Sequence, residues 1–350
     1  MSNLNREEKH VLFTFDYELF LGSKSGNVEK CLIIPTSKIL SILAKYNVKA
    51  IFFIDTTYLI RLNEIKDRYE AANADWHSII EQIKLIFKSG HDVFPHLHPH
   101  WLDAVYKPDT KEWDLGESSK YRFNSISQQE REYIWESSIS ILQSIIHPLN
   151  ALYNFDGYRA GGWCIQPFED FKPFFERYGV RYEFSIRPGY KQLTTAHQYD
   201  FLAAPAKSIY NFEADLLTED VNGRYLEFTI SSIKKIKGFF NLLNRVLHKT
   251  IFRKGNKGFG DGTTVFATPI DINADYWNYN ADMEMVSIEN MTVAKLQAYK
   301  KFVGKENYMQ FLSHPKLINI HHLICLNLFL KAATKKYAVN TNFRKIGLRE

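Results

Sequence analysis

The sequence is poor in cysteine: only Cys31, Cys164 and Cys325 occur in 350 residues, and no two of them form a CxxC pair. An odd, dispersed set of cysteines argues against a disulfide framework and for a reducing compartment. Long apolar runs are also lacking, because the longest, residues 317–330, is interrupted by polar residues and is too short to span a bilayer. The first nine residues have no apolar segment of the kind found in signal peptides. We therefore expect a cytoplasmic protein.

A large excess of one charge is lacking as well, since 44 Lys and Arg against 39 Asp and Glu leave a formal net charge of only +5. This balance gives no indication of nucleic-acid binding. One segment is uneven, because residues 228–260 carry eight Lys and Arg but no Asp or Glu. Most such runs are solvated helix faces. The alternative is a peripheral contact of residues 234–257 with anionic lipid headgroups or with a lipid-linked glycan.

The chain alternates short apolar strands with amphipathic helices, the pattern of repeated βα units. Strands are predicted at 11–15, 49–54, 91–94, 181–185, 225–230 and 308–312. Helices are predicted from Pro35, around 76–88, from the capping box at Ser127 to about Pro148, from Pro167 to Gly179, and at 235–247, 292–302 and 318–336. With 45% hydrophobic residues and no long linker, we expect one α/β domain over 1–350. Its core should span about 10–315, with a helical tail at 316–350.

A histidine cluster follows the third predicted strand. His96, His98 and His100 lie at alternate positions, although only twelve histidines occur in the whole chain. Neutral imidazole is a common ligand of zinc and related ions, and a carboxylate often completes such a site. Asp16 and Glu18 end another apolar run and could supply that carboxylate. The combination predicts a divalent metal centre.

The polar residues share a position relative to the strands. Asp16 and Glu18, the histidine cluster, Arg159 and His314 all come at or just after the end of a predicted strand. In α/β barrels the carboxyl ends of the strands meet at one rim, where the catalytic side chains lie. These distant segments should therefore form a single site.

At these positions the sequence resembles the polysaccharide deacetylases, carbohydrate esterase family 4. Thr-Phe-Asp-Tyr-Glu at 14–18 stands where the family has Thr-Phe-Asp-Asp, and Ala-Ile-Phe-Phe at 50–53 is similar to Ala-Thr-Phe-Phe. Gly-His-Asp at 90–92 then leads to the spacing His-x-x-x-His at 96–100. Arg-Ala-Gly-Gly at 159–162 and Leu-Ser-His at 312–314 resemble the last two motifs. The resemblance covers about residues 10–315.

The resemblance implies a fold and an activity. The fold would be a distorted (β/α) barrel of seven or eight strands with a C-terminal helical extension. The activity would be that of a metal-dependent hydrolase, which removes N-acetyl or O-acetyl groups from a sugar, a polysaccharide or a glycan precursor. Zn²⁺ is the expected ion, while Co²⁺, Ni²⁺, Fe²⁺ and Mn²⁺ suit the same ligands.

It also implies residue roles. Glu18, His96 and His100 would hold the metal, while His98 could replace one of the two histidines, contact substrate or only hydrogen-bond its loop. Asp16 would be the general base and Arg159 the cation that keeps it ionised. His314 would be the general acid. Trp101 and Trp163, each just past a motif, could stack on a sugar ring or pack in the core. Gly162 could contact the substrate through its backbone N–H.

Three departures from the family pattern leave alternatives open. Tyr17 replaces an aspartate that usually binds the metal, although Glu18 agrees with a known variant. Gly162 stands where a tyrosine is expected, and the acid that orients His314 is not evident, Glu183 being the candidate. The alternatives are a hydrolase of the same fold that cleaves a non-sugar C–N bond, and a glycan-binding protein with a decayed site.

Overall fold

A computed structural model of the chain describes residues 6–115, 118–235, 258–264, 268, 270 and 282–346. The strands are β1 (Glu8–Tyr17), β2 (Ile51–Asp55), β3 (Asp92–Leu97), β4 (Val105–Lys107), β5 (Glu112–Asp114), β6 (Gly157–Ala160), β7 (Tyr182–Glu183), β8 (Lys191–Leu193), β9 (Gln198–Asp200), β10 (Ile209–Phe212), β11 (Tyr225–Phe228), β12 (Ser232–Lys234), β13 (Met283–Met285), β14 (Tyr308–Ser313) and β15 (Ala338–Asn340). The helices are α1 (Ile34–Lys45), α2 (Thr56–Ile65), α3 (Glu70–Lys88), α4 (Gln128–Ile146), α5 (Lys172–Tyr178), α6 (Val293–Lys305), α7 (Ile320–Lys336) and α8 (Phe343–Ile346).

The main sheet has the strand order β10-β11-β7-β6-β3-β2-β1-β14. Every neighbouring pair is parallel except β10 and β11. In addition, β15 pairs with the start of β1. Parallel strands place all their carboxyl ends at one rim, so the ends of β6, β3, β2, β1 and β14 lie side by side.

The two ends of this sheet are joined through residues 231 and 286. The backbone N–H of Leu312 donates to the carbonyl of Val286 (3.1 Å), and the N–H of Val286 donates to the carbonyl of Ser231 (2.9 Å). Tyr308 on β14 also contacts Phe228 on β11, with ring centroids 6.5 Å apart. The sheet therefore curls into an irregular barrel, and the predicted α/β distorted barrel is confirmed.

Aromatic side chains pack between the sheet and the helices that cover it, where Phe329 of α7 contacts Phe13 and Phe311. From Val11 to Tyr17 every residue of β1 is buried, because helices cover one face and the barrel core the other. Phe13 stacks on Phe311 of β14 at 4.7 Å, and Phe15 stacks on Phe52 of β2 at 5.0 Å. Such pairs stabilise the sheet by about 0.5–1.5 kcal/mol each beyond their burial.

Most predicted helices are present, and their ends agree with the sequence signals. Ser127 accepts a hydrogen bond from the N–H of Glu130, whose side chain accepts one in return, so the capping box is formed. Gly179 ends α5 in the left-handed conformation, with φ +71°. The predicted helix at 235–247 lies almost entirely outside the described residues.

Helix α2 was not predicted. It begins directly after β2, where Asp55 caps it by accepting a hydrogen bond from the N–H of Tyr58 (3.2 Å). No Gly or Pro separates the strand from the helix, so the apolar residues of the two read as one run. Among the described residues, no helix has the length and apolar character needed to cross a membrane.

Candidate metal centre and active site

The predicted site residues of the β1 and β3 ends come together because side chains alternate along a strand. Asp16 and Glu18 are two residues apart and point to the same side of β1, into the barrel mouth. Tyr17 points the other way, where its hydroxyl donates to Gln82 of α3 (2.8 Å). This alternation explains why residue 18, and not residue 17, supplies the second acid.

A buried group of three potential ligands lies at this rim: Glu18, His96 and His98. Glu18 Oε2 is 2.6 Å from His98 Nε2 and 3.4 Å from His96 Nε2. The two Nε2 atoms are 3.0 Å apart. A carboxylate and two imidazoles are ligands that Zn²⁺ and related ions prefer.

The hydrogen bonds around this group leave ligand atoms facing one another. His96 Nδ1 lies 2.8 Å from the carbonyl oxygen of Arg159, which can only accept, so Nδ1 is the donor and in the neutral ring Nε2 carries the lone pair. Glu18 Oε2 is buried and receives no hydrogen bond of good geometry. Such outer hydrogen bonds are typical of metal-binding histidines. The donor set therefore suits a divalent cation.

The electrostatics of the group also favour a cation. Burial tends to raise the pKa of Glu18, but the neighbouring Lys316 and His98 bring it well below its ordinary value. Burial tends to lower the pKa of His96, but the carboxylates of Asp16 and Glu18 raise it overall. The carboxylates are thus ionised at neutral pH, and their negative charge attracts positive charge to the histidine side of the site.

The structure differs from the sequence prediction for His100. The chain stays extended through His98, so residues 96 and 98 lie on the same side, and a 3-10 turn beginning at Pro99 then carries His100 away. Its ring stacks on Tyr121 (centroids 5.3 Å apart) and on Trp101, and neither ring nitrogen has a hydrogen-bond partner among the described residues. His98 therefore takes the place in the cluster that the motif spacing gave to His100.

Asp16 lies beside the group and is paired with Arg159. The guanidinium donates from Nη1 to Asp16 Oδ1 (2.7 Å), from Nη2 to Thr14 Oγ1 (2.8 Å) and from Nε to the carbonyl of Phe184 (3.0 Å). Arg159 is fully buried and Asp16 is 3% exposed. Burial tends to raise the pKa of Asp16, but the Arg159 charge and the nearby imidazoles lower it overall. Asp16 Oδ2 remains directed at the cluster, 4.0 Å from His96 Nε2.

His314 closes the opposite side of the group. Its Nε2 lies 3.6 Å from Asp16 Oδ2 and 3.7 Å from Glu18 Oε1, and its Nδ1 lies 3.2 Å from Glu289 Oε1. The ring is 22% exposed, so it faces the open mouth. Burial tends to lower the pKa of His314, but the bond to Glu289 and the other carboxylates raise it overall.

The orienting acid is therefore Glu289, and the candidate Glu183 does not reach His314. Glu183 accepts hydrogen bonds from the backbone and hydroxyl of Ser185 and lies against Glu227 inside the barrel. Glu289 follows the segment that bridges the sheet ends, in which no strand was predicted. The acid was missed because nothing in its local sequence places it near residue 314.

Lys316 is a second residue that the sequence analysis missed. Its ammonium donates to Glu18 Oε1 (2.8 Å) and to the carbonyl of Leu19 (2.6 Å), and the residue is only 5% exposed. It therefore fixes one oxygen of Glu18 and leaves Oε2 to face the two histidines. The alternation of side chains along a strand could not have indicated it, because Pro315–Leu317 forms a 3-10 turn directly after His314.

A cavity of about 340 Å³ opens above the group. Besides the site residues, its walls include the aromatic side chains of Phe20, Tyr121, Trp163 and Tyr199. Trp163 lines the cavity, and its contact with substrate stays a prediction, whereas Trp101 is fully buried and donates to Asp55 (2.6 Å). Of the two roles open for Trp101, substrate contact and core packing, the structure shows core packing, because the turn at 99–103 directs its indole into the core.

The backbone conformation and the close packing of the cavity wall require glycine at residue 162. Its φ is +57°, a conformation that favours glycine, and an added Cβ would lie 2.8 Å from the ring of Tyr121. Tyr121 in turn lies against His197, with its hydroxyl 3.1 Å from Nε2. The tyrosine that the family pattern leads one to expect at residue 162 would not fit, and Tyr121 occupies this part of the wall instead.

No protein-family model and no curated protein matches the sequence. Solved structures similar to it include the following two. One is described as a polysaccharide deacetylase from Mycobacterium smegmatis, with 14% identity, a TM-score of 0.49, and coverage of 99% of this chain and 91% of that chain. The other is the catalytic domain of a peptidoglycan N-acetylglucosamine deacetylase from Eubacterium rectale, with 13% identity, a TM-score of 0.33, and coverage of 98% and 91%.

Proposed function

We propose that this protein is a metal-dependent hydrolase that removes N-acetyl groups from a sugar or glycan precursor. The observation that supports it most directly is the set of buried contacts at one rim. Glu18, His96 and His98 face one another, while Asp16 and His314 flank them within 4.0 Å. An aspartate held by arginine and a histidine held by glutamate suit a general base and a general acid.

The metal would be held by Glu18, His96 and His98, with Lys316 fixing the second oxygen of the carboxylate. A bound divalent ion, expected to be Zn²⁺, would lower the pKa of a water molecule and polarise an acetyl carbonyl. Co²⁺, Ni²⁺, Fe²⁺ or Mn²⁺ would suit the same donors.

The remaining roles belong to the side chains of the chain itself. Asp16 Oδ2 accepts the proton of the attacking water, and the Arg159 charge keeps the carboxylate ionised until it does so. His314 Nε2, which faces the mouth, donates a proton to the departing nitrogen, while Glu289 holds the ring. The backbone N–H of Gly162 is proposed to donate to the oxygen that becomes negative. The products are acetate and an amino sugar.

The cavity walls support a sugar substrate. Tyr121, Trp163 and Tyr199 present aromatic rings, and Gln192 and His197 present polar groups between them. A pyranose ring has apolar faces and a polar edge, so this mixture suits it.

A cytoplasmic location remains a prediction. The predicted membrane contact of residues 234–257 falls almost wholly outside the described residues, and it also remains a prediction.

The test is acetate release from N-acetylhexosamine oligosaccharides by the metal-loaded protein. Asp16→Asn should abolish turnover while the metal content stays unchanged, because Asp16 is not among the three proposed ligands. Asp67→Asn, which changes an exposed aspartate, is the matched control and should leave turnover unchanged. Failure of the wild-type protein to release acetate from any such substrate would contradict the proposal.

A further inference from the structure

Three neighbouring helices on one side of the barrel have an unusual charge distribution. Helix α7 packs against both α1 and α6. Together the three carry nine lysines and no Asp or Glu, although the chain as a whole has nearly equal numbers of basic and acidic residues. Of these lysines only Lys295 has an ion-pair partner among the described residues, which is Glu284. Eight of the nine lysines therefore have no ion-pair partner in the described part of the chain, and the face is strongly cationic.

The same face exposes aliphatic side chains in a row. On α7, Ile320 is 64% exposed, Ile324 49% and Leu328 39%. Lys331 and Lys335 continue this row, since at 100° per residue all five positions fall within an arc of about 80°. The outer side of α7 is thus apolar along its first half and basic along its second.

We propose that the face formed by α1, α6 and α7 docks on an anionic membrane surface. Helices with aliphatic and lysine side chains on one exposed face bind at the headgroup boundary, where acyl chains receive the apolar groups and anionic headgroups attract the lysines. The three helices do not include residues 234–257, and the proposal goes beyond the proposed hydrolase activity.

The composition favours lipid over a protein partner. Protein interfaces are enriched in Tyr, Trp and Arg and depleted in Lys. The three helices contain no Trp and no Arg, and their one tyrosine, Tyr299, is buried. Lysines spread over three helices suit a diffuse negative surface better than a single acidic group.

The position of α7 connects this face to the cavity. Lys316 and Leu317 line the cavity, and α7 begins at Ile320, where Asn319 accepts a hydrogen bond from the N–H of His322 (3.0 Å). A protein docked through α7 would therefore have its cavity wall close to the membrane surface. This placement suits a glycan precursor attached to a lipid.

The experiment is vesicle flotation of the full chain with phosphatidylcholine vesicles that contain or lack phosphatidylglycerol. We expect binding only to the anionic vesicles, and weaker binding at high salt. The double variant Lys331→Glu and Lys335→Glu should reduce binding roughly 30-fold or more, because each surface lysine contributes about fivefold. Ile324→Glu should also reduce it, whereas Leu152→Glu, at an 88% exposed leucine in the turn after α4, should not.

Three results would overturn the proposal. They are equal binding to neutral and anionic vesicles, no binding to either, and equal effects of the two Glu substitutions at residues 324 and 152. Sedimentation analysis adds a further outcome. If the wild type is a dimer and Ile324→Glu a monomer, the face joins two copies of the chain, and the proposal is wrong. Ile324→Glu should hydrolyse a soluble substrate at the wild-type rate, so failure of docking and failure of hydrolysis are separate results.

Discussion

Replacing Arg159 by methionine should strongly destabilise the protein. The guanidinium is fully buried, makes hydrogen bonds to Asp16, Thr14 and the carbonyl of Phe184, and stacks over the ring of Phe53 at 4.3 Å. Methionine keeps much of the apolar volume but leaves the Asp16 carboxylate buried without its cation. Breaking a buried pair in this way costs about 3–5 kcal/mol.

The free energy of unfolding, from guanidinium titration with linear extrapolation, measures this cost. Removing the carboxylate as well, in the double variant Asp16→Asn and Arg159→Met, should restore about 1–3 kcal/mol, since the two groups are in direct contact. Arg177→Met is the control. Arg177 pairs with Glu132 at the surface, where water replaces the partner, so its stability should stay near that of the wild type.

Two results would refute this reasoning. One is an Arg159→Met variant that unfolds at the wild-type guanidinium concentration. The other is a double variant that is no more stable than Arg159→Met. Either would mean that the Asp16 carboxylate does not depend on the guanidinium, and the general-base role proposed for Asp16 would lose its electrostatic support.

Further predictions concern acid stability, the general acid and the cavity wall. Burial, with a contribution from a nearby lysine, lowers the pKa of His91 to about 4 from its ordinary 6.5, so protonation favours unfolding. The resulting stability, about 3 kcal/mol, should be full above pH 6.5 and lost as the pH falls to about 4, and His91→Asn should flatten this dependence in pH-dependent guanidinium titrations. Glu289→Gln should lower kcat by up to about 100-fold with unchanged metal content. In a His314→Ala variant, which lacks the imidazole that Glu289 orients, the same substitution should cause no further loss of kcat. Gly162→Ala should lose about 1–2 kcal/mol of stability and raise KM by displacing Tyr121, whereas Gly179→Ala, with similar φ but open space, should lose stability without a change in KM.

Much of the rim was predictable because the local sequence around each of its residues indicates that it lies at the end of a strand. Asp16 and Glu18 end a buried strand, and Arg159 and His314 lie at or just after the ends of two others, so a parallel sheet brings them together. The alternation of side chains along β1 also makes Glu18 the second acid. These inferences need only the strand ends and the period of a strand.

Other parts of the site depend on contacts between distant segments. Glu289 reaches His314 because residue 286 bridges the two ends of the sheet, a connection that no local pattern encodes. The choice between His98 and His100 depends on where β3 ends: an extended chain puts 96 and 98 side by side, whereas a helical turn would have joined 96 and 100. Motif spacing by itself cannot distinguish these two backbone paths.

Metal content and affinity of three single-histidine variants test the central claim most directly. Protein purified with Zn²⁺ should contain about one ion per chain by elemental analysis, and His96→Ala and His98→Ala should each lose it, because their Nε2 atoms face Glu18 Oε2. His100→Ala should retain the ion with wild-type affinity in a chelator competition. Retention of the ion by His98→Ala together with its loss from His100→Ala would contradict the proposed metal centre.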